Sequence, residues 1–305
     1  MQGRLVCSLA ESYTPGMSSN WRHLYPFASH TIRCQSWRYH YVDEGNGPPL
    51  LMVHGNPTWS FYWRNLIAAW RDQHRTIAVD HLGCGLSDKP QSYPYSLETH
   101  TANLVQLIDE LDLRDITLLA HDWGGAIGLG AAVARPERFR RFVLFNTAAF
   151  TPPYIPWRIR ACRLPVIGTW AIRRLNLFAR AAISMAVEKP LAPDVKAGLL
   201  APYDSWDSRI AIQQFVADIP GSRHHPTWRT LEKLEQSLAT LSGHPMQIIW
   251  GKHDWCFRME CLERLRDHFP SAQVDVLDDA GHYVVEDAHP SIISTVDDFL
   301  RQATP

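Results

Sequence analysis

The segment LLAHDWGGAIG, residues 118–128, constrains this chain more than any other. A short apolar run, Ile116–Ala120, passes through a tight turn into the Gly/Ala-rich stretch Gly124–Ala134, which ends at Pro136. In a strand–turn–helix elbow of this kind, the residue at the bend projects its side chain off the top of the sheet. Flanking glycines permit the strained turn and close helix packing. The residue at the bend is Asp122. The usual elbow is G-x-S-x-G; His121-Asp122-Trp123-Gly124-Gly125 puts a carboxylate where the serine stands. Asp is also a favoured helix N-cap, so by itself the residue fits either a reacting group or a cap.

The pattern on either side agrees with such an elbow. Trp37–Val42 alternates and reads as an exposed-edge strand, the turn GNGPP follows, and Leu50–Val53 and Thr76–Val79 are short apolar runs that fit buried strands. Leu97–Leu111 has apolar residues at helical spacing, and Phe142–Phe145 is another buried strand. Continuous apolar strands alternating with helices imply a mostly parallel sheet with helices on both faces. The rhythm stops over residues 150–228, which contain many prolines, Trp157, Trp170, Trp206 and Trp228, and amphipathic helical stretches, but no buried-strand run. It resumes at Met246–Trp250, Val274–Leu277 and a last helix, Ile292–Arg301. The expected architecture is one α/β core, residues 31–149 and 229–305, interrupted by an all-helical cap, 150–228. An irregular arm, 1–30, precedes it, with Met17 as an alternative start.

A chain of 305 residues, 46% hydrophobic and 20% charged, has the material for such a core and lies far from the disordered class. Thirty basic residues against thirty-one acidic ones leave no global field to hold a polyanion, so no nucleic-acid partner is expected. The cysteines at 7, 34, 84, 162, 256 and 261 form no CxxC pair and no Cys/His cluster at zinc spacing. They read as free thiols, with no metal and no cofactor. The amino terminus has too short an apolar stretch for a secretory signal, and no run approaches the ~20 residues of a membrane span. The expected compartment is the cytoplasm.

A carboxylate at an elbow suggests displacement at carbon, with an aspartyl ester that must later be cleaved. That second step calls for a general base. DDAGHYVVED places His282 in a Gly-flanked loop beyond Val274–Leu277, at the carboxyl end of a strand, where open α/β sheets keep their ligand sites. A carboxylate is then needed to hold His282 in the right tautomer. Two strand ends offer a residue: Asn146, which is neutral, and Asp254 in GKHDW, which is the candidate. Glu286 and Asp279 stay open on spacing, and Asn146→Ala is expected to cost little beyond packing. Finally, His54-Gly55-Asn56-Pro57 follows the strand Leu50–Val53. Such a turn supplies a backbone N–H to an oxyanion hole, paired with that of the residue after the nucleophile, so the donors are Asn56 and Trp123. Their side-chain amide and indole N–H groups suit an anionic leaving group such as a halide.

The blocks HGNPTWSFYWRNL, DHLGCGLSDKP, AHDWGG, WGKHDW and DDAGHYVVED together resemble the signature of haloalkane dehalogenases, which are α/β-hydrolase-fold enzymes. The resemblance spans roughly residues 37–301. It implies Asp122 as nucleophile, His282 as base, Asn56 and Trp123 as halide-binding residues, and, with Asp254 as the acid, the third subfamily. The same chain is similar to the β-lactone decarboxylases of bacterial long-chain olefin biosynthesis, through FNTAAF at 145–150, APYDSW at 201–206 and GHYVVED at 281–287. On these blocks, hydrolytic dehalogenation of uncharged haloalkanes is the first expectation, and alkene formation from a β-lactone is the alternative.

Neighbouring activities are weaker. Haloacid-type enzymes clamp a carboxylate with arginines beside the nucleophile, where this chain has Trp123, Gly124 and Gly125. Epoxide hydrolases need lid tyrosines, for which Tyr154 and Tyr203 are candidates. A non-catalytic scaffold predicts a missing catalytic member, and none is missing. The stretch from Pro156 to Arg180 carries six arginines and no acid. It reads as a solvated helix face, with a self-association surface, or contact with a lipid-like substrate or membrane face, as the sharper alternatives; membrane contact is not the expectation. The expected partners are a small hydrophobic substrate and the halide it releases.

Overall fold

The computed structural model describes residues 21–302. Cys7, Met17 and the part of the expected arm before residue 21 lie outside them. Strands β1 (Ser29–Cys34) and β2 (Trp37–Glu44) form an antiparallel pair, followed by β3 (Pro49–Val53), α1 (Arg64–Trp70), β4 (Arg75–Val79), α2 (Leu97–Glu110), β5 (Ile116–Asp122), α3 (Trp123–Ala134) and β6 (Phe139–Thr147). Five helices come next: α4 (Trp157–Cys162), α5 (Ile167–Leu175), α6 (Leu177–Met185), α7 (Pro193–Leu200) and α8 (Ile210–Asp218). The core then resumes with α9 (Pro226–Ser237), β7 (Met246–Gly251), α10 (Met259–His268), β8 (Gln273–Leu277) and α11 (Val284–Arg301).

The eight strands form one sheet in the order β1-β2-β4-β3-β5-β6-β7-β8, parallel from β4 onward and antiparallel at β1–β2–β4. Alternate residues of a strand enter opposite faces. Leu51 and Val53 of β3 therefore join the core packed under α2, α3, α9 and α10, whereas Leu50 and Met52 join the one under α1 and α11. Two-sided burial is why these strands read as unbroken apolar runs.

Three expectations change. Trp37–Val42 is not an edge, because β1 covers it; β1 itself, SHTIRC, has one large apolar side chain in six residues and so gave no strand signal. The arm is not irregular where it is described, since Trp21 and Tyr25 are buried against Trp59 and Phe61 and β1 begins at Ser29. The cap boundary at 228 falls inside α9, which packs as a whole against α2 and α3 of the core.

Candidate active site

Asp122 ends β5 with φ 53° and ψ −129°. A non-glycine residue keeps such a backbone only where its surroundings over-determine it. Here the Thr147 hydroxyl donates to the Asp122 carbonyl, and α3 approaches β3 so closely that a Cβ on Gly124 would lie 2.1 Å from the Val53 carbonyl oxygen. The Asp122 side chain makes no capping bond to α3. Instead Oδ2 accepts the backbone N–H of Asn56 at 3.0 Å and lies 3.7 Å from His282 Nε2. Gly55 makes room for this, since a Cβ there would sit 2.4 Å from that of Asp122. A capping role does not describe this carboxylate.

His282 Nδ1 donates to Asp254 Oδ2 at 2.8 Å. Asp254, beyond the end of β7, is buried and also accepts the backbone N–H groups of Cys256 (2.6 Å) and Phe257 (2.9 Å) on Oδ1. Burial drives the His282 pKa down, but the charges of Asp254 and Asp122 and the hydrogen bond to Asp254 outweigh it and raise it to about 10. Phe257 stacks on the imidazole, and His121 Nε2 bonds the His282 carbonyl at 2.8 Å. Burial and the neighbouring His282 charge push His121 down to about 3, so it is a neutral neighbour.

The competing carboxylates are placed elsewhere. Glu286 is buried in a two-point ion pair with Arg64 at 2.6 and 2.8 Å, and Asp279 is exposed on Lys189. Asn146 corrects an expectation. Its Nδ2 donates to Asp254 Oδ2 (2.9 Å) and to the Gly251 carbonyl (3.1 Å), while its Oδ1 accepts the Gly251 N–H (2.7 Å). This buried residue clamps the ends of β6 and β7 and orients the acid; it is more than packing. The sequence marks Asn146 only as a strand-end residue; its contacts to Asp254 and Gly251 leave no signal, because they cross between two strands far apart in the chain.

Asp122 and Trp123 form the floor of a cavity of about 100 Å³, walled by apolar groups that include Phe150, Ile159, Leu231 and Phe257. Trp123 packs on Phe215 of α8, and its indole N–H has no hydrogen-bond partner among the described residues. Asn56 Nδ2 donates to the Ile212 carbonyl at 3.3 Å, leaving its second hydrogen, while Oδ1 is buried without a partner. Of the two oxyanion donors expected, the Asn56 N–H is bonded to Asp122, and the Trp123 N–H makes no bond to that carboxylate. Neither lid tyrosine presents a free hydroxyl: Tyr154 donates to the Cys256 carbonyl and accepts from the Arg258 N–H, and Tyr203 donates to the Thr58 carbonyl.

An eight-stranded, mostly parallel sheet with a carboxylate elbow, a late histidine and a helical insertion defines the class. The chain belongs to the α/β-hydrolase fold family, whose model matches residues 48–288, and is a haloalkane dehalogenase-like member of it. It is 39% identical over 286 residues to a cis-3-alkyl-4-alkyloxetan-2-one decarboxylase of Shewanella oneidensis, covering 92% of this chain and 90% of that protein. Haloalkane dehalogenase 2 of Mycobacterium tuberculosis is 34% identical over 278 residues, covering 90% and 95%. The crystal structure of haloalkane dehalogenase DatA from Agrobacterium tumefaciens superposes with a TM-score of 0.82 at 26% identity, covering 90% and 97%. Among the described residues, no helix is long and apolar enough to cross a membrane.

Proposed function

We propose that Asp122 attacks carbon in an uncharged, apolar substrate, and that this substrate is a cis-3,4-dialkyl β-lactone converted to an alkene and carbon dioxide. The observation that carries the first half is the Asp122 side chain, turned away from the helix it could cap and held between the Asn56 N–H and His282 at the floor of an apolar cavity. The second half rests on the higher identity to the oxetanone decarboxylase, which reverses the order in which the motifs ranked the two activities.

In this reading Asp122 attacks C4 of the four-membered ring with inversion, the C4–O bond breaks, and the carboxylate at C2 is freed. The C2–C3 bond then breaks. Its electron pair forms the C3=C4 double bond as the Asp122 carboxylate leaves from the opposite side, so a cis ring yields a cis alkene. Atoms balance without water. Asn56 and Trp123 face the departing anion, and the His282 imidazolium, held by two acids, stabilises charge on Asp122.

A second reading, hydrolytic dehalogenation, is favoured by the Trp123 indole, which makes no hydrogen bond among the described residues, and by the spare Asn56 hydrogen, both of which suit a halide. There ester formation would neutralise Asp122 and remove one of the charges that raise the His282 pKa. The imidazole would then become a base when water must be activated. The purified protein given a long-chain cis-β-lactone and, separately, 1-bromoalkanes is expected to yield alkene by gas chromatography. Halide by ion chromatography without alkene would replace the first reading with the second, and neither product would overturn both.

A further inference from the structure

Among the described residues, most of the exposed large apolar side chains fall in one stretch, α4 to α6: Trp157 (71% exposed), Val166 (80%), Ile167 (69%) and Trp170 (52%), with Leu164, Leu175 and Leu177 beside them. The α4–α5 turn is constructed to display them. Val166, a β-branched residue, is held at φ 63°, where such residues are rare. The Gly168 N–H bonds the Leu164 carbonyl at 2.9 Å and the Trp170 N–H bonds the Val166 carbonyl at 2.8 Å, which leaves the Val166 and Ile167 side chains outside. On α5, Ile167, Trp170 and Arg174 follow one another on a single exposed helical face, opposite buried Gly168 and Ile172.

Charge follows the same stretch. There is no Asp or Glu between residues 151 and 187, whereas Arg158, Arg160, Arg163, Arg173, Arg174 and Arg180 lie within it. Among the described residues, only Arg173 of these has a carboxylate at ion-pairing distance, Asp207. Arg160, Arg174 and Arg180 are exposed among the apolar side chains, and Arg158 lies 5.1 Å from the rings of both Trp157 and Trp255. A protein core or a second copy of this face would have to neutralise or repel these cations. Tryptophans and aliphatics interleaved with arginines instead match an interface where apolar groups enter acyl chains and guanidinium groups meet phosphate.

We infer that the outer face of α4–α6 docks onto an anionic lipid surface. This departs from the sequence expectation of no membrane contact and does not depend on which substrate is used. The face adjoins the cavity: α4 turns Ile159 inward to line it and Trp157 and Arg160 outward. A docked molecule therefore holds its cavity wall against the lipid from which an apolar substrate would enter.

The test is flotation of the full chain with vesicles of phosphatidylcholine alone or mixed with phosphatidylglycerol. Binding is expected to the mixed vesicles and to fall with added salt. Each arginine near an anionic surface is worth about fivefold in affinity, so Arg160→Gln/Arg174→Gln/Arg180→Gln should weaken binding on the order of a hundredfold. Val166→Ser/Ile167→Ser/Trp170→Ala should abolish flotation while circular dichroism stays native, and Arg266→Gln on α10 should change nothing. No binding to the mixed vesicles, or equal binding by all variants, would overturn the inference. So would a wild-type oligomer in sedimentation that the apolar variant disperses while neither protein floats, which would make the face an interface between copies.

Discussion

Replacing Asn146 by Ala tests whether the acid is held by the ends of two strands or by its own loop. The substitution removes three hydrogen bonds, two to the Gly251 peptide and one to Asp254, in a place without solvent. A buried donor or acceptor left unpaired costs about 1–3 kcal/mol, and a bond to an ionised acceptor contributes about 1.5–3 kcal/mol. Asn146 also sits at φ 24°, which alanine accommodates less well. A loss of about 3–5 kcal/mol in unfolding free energy is expected, set against the ~5–15 kcal/mol of a typical domain. The urea midpoint should drop at unchanged m-value. Activity should fall by one to two orders of magnitude, because Asp254 keeps its two backbone donors but can swing away from Nδ1. The basic limb of the pH–rate profile should move to lower pH. A destabilisation below about 1 kcal/mol with an unmoved profile would refute the clamp and restore the view of Asn146 as packing.

Three further outcomes follow from the same geometry. Asp254→Asn should lower turnover by about 10⁴-fold, as loss of the orienting acid does in analogous triads, with Glu286→Gln far milder on chemistry; steady-state kinetics of the two variants decides. Under the dehalogenation reading, His282→Gln given an iodoalkane should accumulate an adduct on Asp122 visible by intact mass; an unmodified protein, with a wild type that releases iodide, would sink the ester step of that reading. Because the folded His282 pKa, about 10, lies above its unfolded value, its contribution to stability is complete below about pH 6.5 and is lost as the pH rises through 10. Denaturation at a series of pH values should show this decline in wild type and a shallower one in Asp254→Asn.

What could be read from sequence was whatever carries a local sign. Asp122 and His282 stand beside glycines at the ends of apolar runs, and Asp254 follows such a run, so strand ends and chemistry could be found together. Strand β1 could not, because an exposed edge strand of Ser, His, Thr and Arg has no apolar alternation to detect. Nor could α9 be assigned to the core, since its amphipathic pattern is the same whichever body it packs on. Within the site, the choice among Asp254, Glu286 and Asp279 was open on spacing and is closed by partners distant in the chain, Asn146 for the first and Arg64 for the second. Long-range hydrogen bonding leaves no periodic trace.

The five helices α4 to α8 enter the chain at a single seam, after β6 and before α9, whereas Asn56, Asp122, Asp254 and His282 all lie at or just beyond the ends of β3, β5, β7 and β8. The inserted helices and the strand-end residues are thus carried by separate stretches of the chain. The cap meets the reacting set through Ile212 on Asn56, Phe215 on Trp123, and Ala186, whose carbonyl accepts the N–H of Tyr283 beside His282. Substitutions in the cap away from these contacts can therefore change the cavity wall while the residues at the strand ends stay in place.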